Sequence, residues 1–434
     1  MSLNTLKTDT LVCGGGCAGL GAAISAARAG VDTLLVERAP FAGGIVTTVG
    51  LPYLDGIVDP KSGDIVVNGL AREILSRMDG CAPDASRYCE IAESHLEAGN
   101  QSAVLIPNTE QFKRVADSLL VECSDNLRIL YNASVCDVDV REGRIEGLSV
   151  ATKGGLYKIN ARTIIDTTGD GDVAYLAGSK MEKSNPLMPM TLHFRIGNVR
   201  PTPNMKQAMQ RECEQAVQAG EIALFYGPHF EYHFADNEMD IHAIRVSGDA
   251  SDPFELTQAE ITGRRESWIM FERWKSNVPG FENAYFVSSG PYIGVRETRR
   301  LKGRYQLTEQ DILANTTFDD AVAIGTWYLD VHPNSNSPGQ FQSFNPKWPG
   351  PYHIPYRSLL PKEVSNLVVA GRCHSATAIA ASSSRVTVTA MAMGEAAGAA
   401  AKLADLMKRD VAEIEGSSIR SYLADNGVEL YPLN

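Results

Sequence analysis

The chain has 434 residues, enough for two or three domains, because a domain usually takes about 100 to 200 residues. It is 44% hydrophobic, 21% charged and 7% aromatic, which excludes a mainly disordered, collagenous or disulfide-scaffold protein. Its 40 Lys and Arg against 52 Asp and Glu give a net charge of -12, which would repel nucleic-acid phosphates and anionic lipid. We therefore expect no nucleic-acid partner.

The sequence shows no membrane span and no secretion signal. No apolar run reaches the ~20 residues that a bilayer span needs, and the start, MSLNTLKTDT, lacks the apolar core of a signal peptide. The eight cysteines are dispersed without a CxxC pair or a Cys/His cluster at zinc spacing, so we expect free thiols and no metal site. These features predict a cytoplasmic protein.

The first forty residues predict a βαβ unit. The apolar run Thr10–Cys13 leads into a glycine-rich turn, an Ala-rich helix runs to about Ala29, and Thr33–Val36 forms a second buried strand that ends at Glu37. The turn has the GxGxxG spacing that binds a dinucleotide when a strand precedes it, a helix follows it and an acid lies about twenty residues further on.

Each residue type in this turn has a physical role. Gly14 allows the tight turn, Gly16 lets the backbone approach a pyrophosphate, and Gly19 lets the helix pack on the strand. The helix N-terminus offers N–H donors to the phosphates. FAD, NAD and NADP all use this fingerprint, but the carboxylate of Glu37 suits a ribose diol and disfavours the 2′-phosphate of NADP.

The rest of the chain alternates in pattern. We predict helices near Gly69–Met78 and Thr109–Glu122, and then a β-meander over residues 128–159 that returns to a strand at Thr163–Ile165. Residues 187–347 show alternating runs and a helix at Thr257–Asn277, without a second dinucleotide fingerprint. A last strand begins at residue 367, and a long helix of small residues is predicted over residues 385–407.

Three further segments favour FAD among the dinucleotides. They are the continuation from Glu37 through Arg38 to Gly43 and Gly44, the second glycine turn around Thr168, Gly169 and Asp170, and the late strand that ends at Gly371 and Arg372. The residues predicted to bind the cofactor are Gly14, Gly16, Cys17, Ala18, Gly19, Glu37, Arg38, Gly43, Gly44, Thr168, Gly169, Asp170, Gly371, Arg372 and Val386.

In these segments the sequence resembles the glutathione reductase-like FAD superfamily, and more closely a family of FAD-dependent oxidoreductases distantly similar to succinate dehydrogenase and fumarate reductase flavoproteins. The resemblance spans nearly the whole chain and includes DTTGDGDVA, IGVRETRR and GRCHSA. It implies a bound FAD and a flavin that transfers hydride. Related flavoproteins usually carry an acid where Arg372 stands, so that contact is not transferred to this chain. The amides near Val386 would face the flavin.

The expected fold is α/β: a Rossmann-like FAD-binding domain of discontinuous segments with a mixed α+β substrate or cap domain. Residues 1–50, 101–186 and 348–434 are assigned to the FAD-binding domain, and residues 51–100 and 187–347 to the cap.

Four residues are candidates for the chemistry. Arg296 and Arg300 lie in an arginine-rich run suited to clamping a carboxylate, although salt bridges between cap and FAD domain explain such a run equally well. His353 and His374 flank the last strand and are candidate proton carriers, with a structural role as the alternative. Cys373, next to the expected flavin position, is a weaker candidate for a redox or covalent role.

The sequence therefore predicts an FAD-dependent oxidoreductase that exchanges a hydride with a small organic substrate such as a carboxylate or hydroxy acid. Its electron acceptor or donor is not identified. A flavin monooxygenase, a dehydrogenase or reductase of a sugar or polyol, and a non-catalytic flavin-binding protein remain as alternatives.

Overall fold

The computed structural model describes residues 4–59, 62–78, 103–105, 109–233, 238–334 and 349–433. Parts of the predicted cap, residues 79–100 and 335–347, lie outside the described residues.

The strands are β1 (Asn4–Cys13), β2 (Thr33–Val36), β3 (Tyr53–Asp55), β4 (Ala103–Leu105), β5 (Leu127–Leu130), β6 (Ser134–Arg141), β7 (Arg144–Thr152), β8 (Gly155–Asp166), β9 (Met181–Glu182), β10 (Phe194–Gly197), β11 (Leu224–His233), β12 (Glu238–Arg245), β13 (Tyr285–Ser289), β14 (Arg300–Leu301), β15 (Ala321–Gly325), β16 (Tyr352–Pro355) and β17 (Leu367–Val369).

The α-helices are α1 (Cys17–Arg28), α2 (Leu70–Ser76), α3 (Thr109–Glu122), α4 (Asp172–Leu176), α5 (Met205–Gln218), α6 (Pro253–Asn277), α7 (Glu309–Leu313), α8 (Ala378–Ser384), α9 (Thr387–Met407) and α10 (Gly416–Asp425). A π-helical turn spans Ile45–Val49, and 3-10 turns span Tyr356–Leu359 and Val411–Glu413.

The larger sheet has seven strands. Its parallel part runs β5-β2-β1-β8-β17, and the hairpin β6-β7 adds to the first half of β8 in antiparallel orientation. The five parallel strands end at one edge, where ligands bind in open α/β sheets. The predicted α/β class and the opening βαβ unit are confirmed.

The last run of the predicted meander, residues 156–159, and the strand predicted at Thr163–Ile165 are parts of one continuous strand, β8. The parallel strand β1 pairs with β8 from Tyr157 to Asp166. On its other side β8 pairs with β7 up to Ile159 and with β17 from Ile164. The long partner β1 keeps β8 continuous, and this pairing is not visible in the local pattern.

The helix α9 packs along α1 over the parallel sheet. A Cβ at Gly394 would collide with the backbone carbonyl of Ala18, and a Cβ at Gly398 would collide with that of Ala22. Small residues are therefore required where the two helix backbones approach each other. The predicted helix from residue 385 to 407 is present, but it begins at Thr387, after the separate short helix α8.

The second sheet has four antiparallel strands in the order β11-β12-β10-β13 and packs with α5 and α6. Its hydrophobic core, built only from residues between 190 and 293, is separate from the core that contains α1 and α9. This mixed α+β unit lies within residues 187–347, the larger segment assigned to the cap from the sequence, and we refer to it as the cap.

The other part of the predicted cap packs differently. Buried residues between 54 and 78, and others between 307 and 329, belong to the same hydrophobic cluster as α1 and α9. We therefore propose that the cap core comprises residues 190–293 and that these flanking segments belong with the FAD-binding domain. Among the described residues, no helix is long and apolar enough to cross a membrane.

Candidate active site

A cavity lies at the carboxyl edge of the parallel strands. Its wall contains residues from the turns that follow β1, β2, β5, β8 and β17, which are the places where those strands end. Tyr292, Ile293 and Val295, from the segment after β13, close it on the cap side. The cavity therefore lies between the parallel sheet and the cap.

The first glycine turn is held tightly against the second turn. The hydroxyl of Thr167 donates to the carbonyls of Cys13 (3.0 Å) and Gly14 (2.7 Å). A Cβ at Gly14 would collide with the Thr167 carbonyl, and a Cβ at Gly19 would collide with the Gly14 carbonyl. These two glycines are therefore required for packing within the protein, independently of any ligand.

Gly16 differs from them because its side faces the cavity. A Cβ built on Gly16 meets only the Cα of Gly44, at 3.7 Å, and both glycines line the cavity. The backbone there has φ -68°, which any residue adopts. Packing does not require a glycine at position 16, whereas close approach of a ligand would.

Glu37 lies at the end of β2 and is 8% exposed. Its carboxylate accepts hydrogen bonds from the backbone N–H of Gly15 (2.5 Å) and of Ala39 (2.7 Å). These bonds fix the carboxylate at the cavity wall. Each oxygen keeps a further acceptor position.

Most residues predicted to bind the cofactor come together here. Those that line the cavity are Gly14, Gly16, Cys17, Ala18, Glu37, Arg38, Gly44, Thr168, Gly169, Gly371 and Arg372. Gly19, Gly43, Asp170 and Val386 are not among the lining residues. Gly43 donates its N–H to the Gly15 carbonyl (2.8 Å), and Val386 is the residue before α9.

Arg372 is paired with an acid from the second turn. Its Nη2 lies 2.7 Å from Oδ1 of Asp170, which also accepts from the hydroxyl of Thr298 (2.5 Å). Burial alone would raise the pKa of Asp170, but Arg372 and Thr298 lower it. Burial and the charges of Asp170 and Asp166 raise the pKa of Asp172, in the cavity wall, to about 6. The unexpected arginine thus has a partner within the chain.

A buried group of arginines lies beside the cavity. We call Arg245, Arg296 and Arg385 the arginine cluster. Arg385 lines the cavity and pairs with Asp330 at 2.9 Å, and Asp330 also lies 3.0 Å from Nε2 of His332. Burial and then the charges of Arg245 and Arg385 lower the pKa of Arg296. Burial lowers the pKa of Arg245 to about 10.

Burial also changes the ionisation of other groups near the cluster. It lowers the pKa of His332, and the charge of Arg296 lowers that pKa further. Burial and the charge of Asp330 raise the pKa of Asp55 to about 7. The region therefore carries more positive than negative charge.

The other candidate catalytic residues lie elsewhere. Arg300 forms a buried ion pair with Glu297 and donates to the Ala376 carbonyl (3.1 Å). Nδ1 of His353 accepts from the Phe318 N–H (3.4 Å), and Nε2 of His374 lies 2.7 Å from the Ser384 hydroxyl. None of these three is among the cavity-lining residues, and neither is Arg296 or Arg245, which lie behind Val295 and Arg385 of the wall. Arg300 therefore pairs with an acid of its own run, and it also lies 3.6 Å from Glu182, in the segment assigned to the FAD-binding domain.

Cys373 is fully buried and is not among the residues that line the cavity. Burial, together with the charge of Asp166, raises its thiol pKa well above the usual value. A raised pKa disfavours the thiolate that redox or covalent chemistry needs.

Several lining residues were missed by sequence reasoning. Thr48 and Val49 come from the π-helical turn, and Arg385 lies between α8 and α9. Residues 133–135 follow β5, which pairs in parallel with β2. The sequence predicted the strand just before residues 133–135. It did not predict that this strand pairs in parallel with β2, which brings these residues to the cavity.

Residues 9–423 match the family described as FAD dependent oxidoreductase. The chain belongs to this family of FAD-dependent oxidoreductases. It is thus an enzyme of a flavoprotein family, and FAD is its cofactor.

Two curated relatives of this oxidoreductase are thiamine thiazole synthases. The one from Methanococcus aeolicus is 28% identical over 200 residues, covering 44% of this chain and 65% of that protein. The one from Sulfolobus acidocaldarius is 26% identical over 199 residues, covering 43% and 65%. The chain thus spans 65% of the length of these relatives.

A crystal structure of a geranylgeranyl bacteriochlorophyll reductase-like protein from Thermoplasma acidophilum is also similar. It aligns with a TM-score of 0.49 and 14% identity over 98% of this chain and 85% of the other.

Proposed function

We propose that this oxidoreductase exchanges a hydride between FAD and a small organic anion, such as a carboxylate or hydroxy acid, bound between the cap and the parallel sheet. One observation carries the proposal: Arg385 belongs both to the cavity wall and to the buried arginine cluster. The space suited to FAD is therefore next to a site suited to negative charge.

The turns around the cavity fit the dinucleotide part of FAD. In our proposal the pyrophosphate lies along Gly14–Ala18 at the start of α1, where free N–H groups and the helix dipole favour negative charge. Glu37 accepts from the ribose diol of the adenosine, close to Arg38. Thr168 and Gly169 of the second turn, with Gly371 and Arg372 of the third, line the continuation.

The reacting end of the cofactor is assigned to the cap side. The start of α9, at Val386 and Thr387, offers backbone donors to that end of the cofactor. Tyr292 and Ile293 cover it from the cap. FAD supplies the hydride acceptor or donor, while the protein binds, orients and excludes water.

Arg385 in the cavity wall attracts the anionic substrate, and Arg296 has the clamping role predicted from the sequence. For proton transfer we propose His332 in place of His353 and His374. His332 shares Asp330 with Arg385 of the cavity wall, and this contact places an imidazole that can exchange protons beside the site.

Anaerobic reduction tests this function. The purified yellow protein is mixed without oxygen with a panel of carboxylates, hydroxy acids, sugars and polyols, and the oxidised flavin band is followed. We expect bleaching by a carboxylate or hydroxy acid, at a rate that matches turnover with an artificial acceptor.

Three outcomes contradict the proposal. Bleaching by a sugar or polyol alone would replace the substrate class. Hydroxylation that needs a reduced nicotinamide and oxygen would identify a monooxygenase. Failure of every compound to reduce or reoxidise the flavin in either direction would favour a non-catalytic flavin-binding protein.

A further inference from the structure

We propose that Arg245, together with Arg296, forms the subsite that binds the carboxylate group of the substrate. This inference deepens the proposed function and rests on it for the position of FAD. Arg245 ends β12 of the cap sheet, and neither composition nor motif singled it out.

A single hydroxyl holds the two guanidinium groups together. The Oγ1 of Thr191 accepts from Nη1 of Arg296 at 2.6 Å and also from Nη1 of Arg245. Arg296 also donates to the carbonyl of Pro189 (2.8 Å). Two positive charges are thus brought to one neutral oxygen.

The described part of the chain provides neither arginine with a carboxylate partner within ion-pair distance. Arg245 is only 3% exposed, and its buried Nη2 has no hydrogen-bond partner among the described residues. Asp330, the nearby acid, makes its direct contacts with Arg385 and His332, and its charge acts on Arg245 and Arg296 only from beyond ion-pair distance. Nη2 therefore has an unused donor in a place that excludes water.

Burying two like charges is unfavourable unless an anion compensates them. A carboxylate does this well, because its two oxygens match the planar fork of a guanidinium. The ring of Tyr226, with its centroid 5.2 Å from Cζ of Arg245, restricts the orientation of that fork. A neutral sugar or polyol would leave the charges uncompensated.

The subsite is continuous with the proposed hydride-transfer site. Val295, the neighbour of Arg296 in the chain, lines the cavity, and so does Arg385. The charges of Arg245 and Arg385 both act on Arg296. In this proposal the carboxylate binds behind the wall formed by Val295 and Arg385, and the rest of the substrate extends into the cavity.

The test compares three variants of the FAD-loaded protein. Arg245→Met removes the charge with little loss of volume, Arg245→Lys keeps the charge without the fork, and Arg211→Met removes an exposed arginine on α5 of the same cap as a control. Calorimetry measures binding of short monocarboxylates, dicarboxylates, 2-hydroxy acids and 2-oxo acids, each beside its neutral methyl ester.

We expect the protein to bind at least one acid more tightly than its ester. Arg245→Met should weaken that binding at least about tenfold, in line with the loss of a charge-assisted hydrogen bond. Arg245→Lys should recover part of the loss, and Arg211→Met should match the parent protein.

Thermal unfolding without added acid separates binding from a structural role. If Arg245 serves an absent anion, Arg245→Met relieves repulsion and its midpoint equals or exceeds that of the parent protein. A lower midpoint with unchanged acid binding would overturn the proposal. Equal binding of acids and esters would overturn it as well.

The two proposals fail in different ways. Acids that bind through Arg245 but never reduce or reoxidise the flavin would refute hydride exchange and leave the subsite standing. Flavin reduction by a neutral compound, with no acid bound, would refute the subsite and leave hydride exchange standing.

Discussion

At the scale of single residues, the glycines of the first turn have two different physical roles. Gly19 is required because any side chain would collide with the Gly14 carbonyl. Gly16 has open space on its side and an ordinary backbone conformation. The same motif therefore contains one glycine needed for folding and one that we assign to the ligand.

Substitution separates these roles. We expect Gly16→Val to fold but to lose essentially all bound FAD, because its side chain enters the space of the pyrophosphate. Gly19→Ala should instead destabilise the protein by about 1–3 kcal/mol, the usual effect of overpacking. The flavin-to-protein absorbance ratio and thermal unfolding measure the two effects. A Gly16→Val protein with full FAD content would contradict the assignment.

Glu37 is predicted to contribute to FAD affinity through charge. Its two oxygens each accept one hydrogen bond, from the backbone N–H groups of Gly15 and Ala39. In Glu37→Gln the charge is lost and only one oxygen remains as an acceptor. We expect the dissociation constant for FAD to rise by an amount equivalent to about 1–3 kcal/mol. Titration of the apoprotein with FAD measures it. Glu146→Gln, at an exposed position, is the control, and equal affinities in both variants would remove Glu37 from the site.

At the scale of elements, α9 contains a buried acid that links it to α2. Oε1 of Glu395 accepts from the backbone N–H of Leu70 (2.9 Å). Burial raises the pKa of this carboxyl to about 8. The contact therefore joins the central helix to α2, in a segment that the sequence assigned to the cap.

This acid gives stability a dependence on pH. The unfolded chain releases the proton near pH 4.5, whereas the folded protein holds it to about pH 8, so stability falls as the pH rises between these values. Glu395→Gln keeps an acceptor for Leu70 without a charge.

We expect Glu395→Gln to match the parent protein below pH 4.5 and to be more stable by on the order of 5 kcal/mol above pH 8, since a pKa difference of one corresponds to about 1.4 kcal/mol. Chemical denaturation across this range measures the difference. The exposed Glu146→Gln should show none. A difference between Glu395→Gln and the parent protein that stays constant with pH would show that Glu395 titrates normally.

At the scale of the whole molecule, the cavity lies between the parallel sheet and the cap. The parallel sheet supplies the dinucleotide turns, and the cap core is built on an antiparallel sheet. Within residues 187–233 and 238–334 the strands form no second parallel βαβ unit that could hold a nicotinamide cofactor. A second nucleotide site of the same kind is therefore not present in that part of the chain.

We accordingly predict that NADH and NADPH reduce the flavin poorly. Electrons should enter from the organic substrate or from a protein or quinone-like donor. Stopped-flow mixing of the oxidised protein with each nicotinamide, with and without candidate substrates, measures the rate of bleaching. Rapid bleaching by a nicotinamide alone would contradict the prediction and favour a monooxygenase or a nicotinamide-dependent reductase.

The sequence by itself determined the cofactor-binding half of the molecule. The GxGxxG turn, Glu37 and the turns at Thr168 and Gly371 follow predicted strands, and parallel strands end at one edge, so these residues were expected to meet. The helix at Thr109–Glu122 was predicted with its observed bounds because its apolar residues follow the helical period. Local pattern and a general rule of topology were sufficient there.

Only the tertiary structure decided which charged residues meet beside the cavity. Arg245 and Arg296 are far apart in sequence and come together because β10 pairs with β12 and the backbone at Thr191 bonds to Gly294. Arg300, close to Arg296 in the chain, pairs instead with Glu297. An antiparallel register depends on side-chain packing across the sheet, and a single sequence shows the charges without showing which of them that register leaves unpaired.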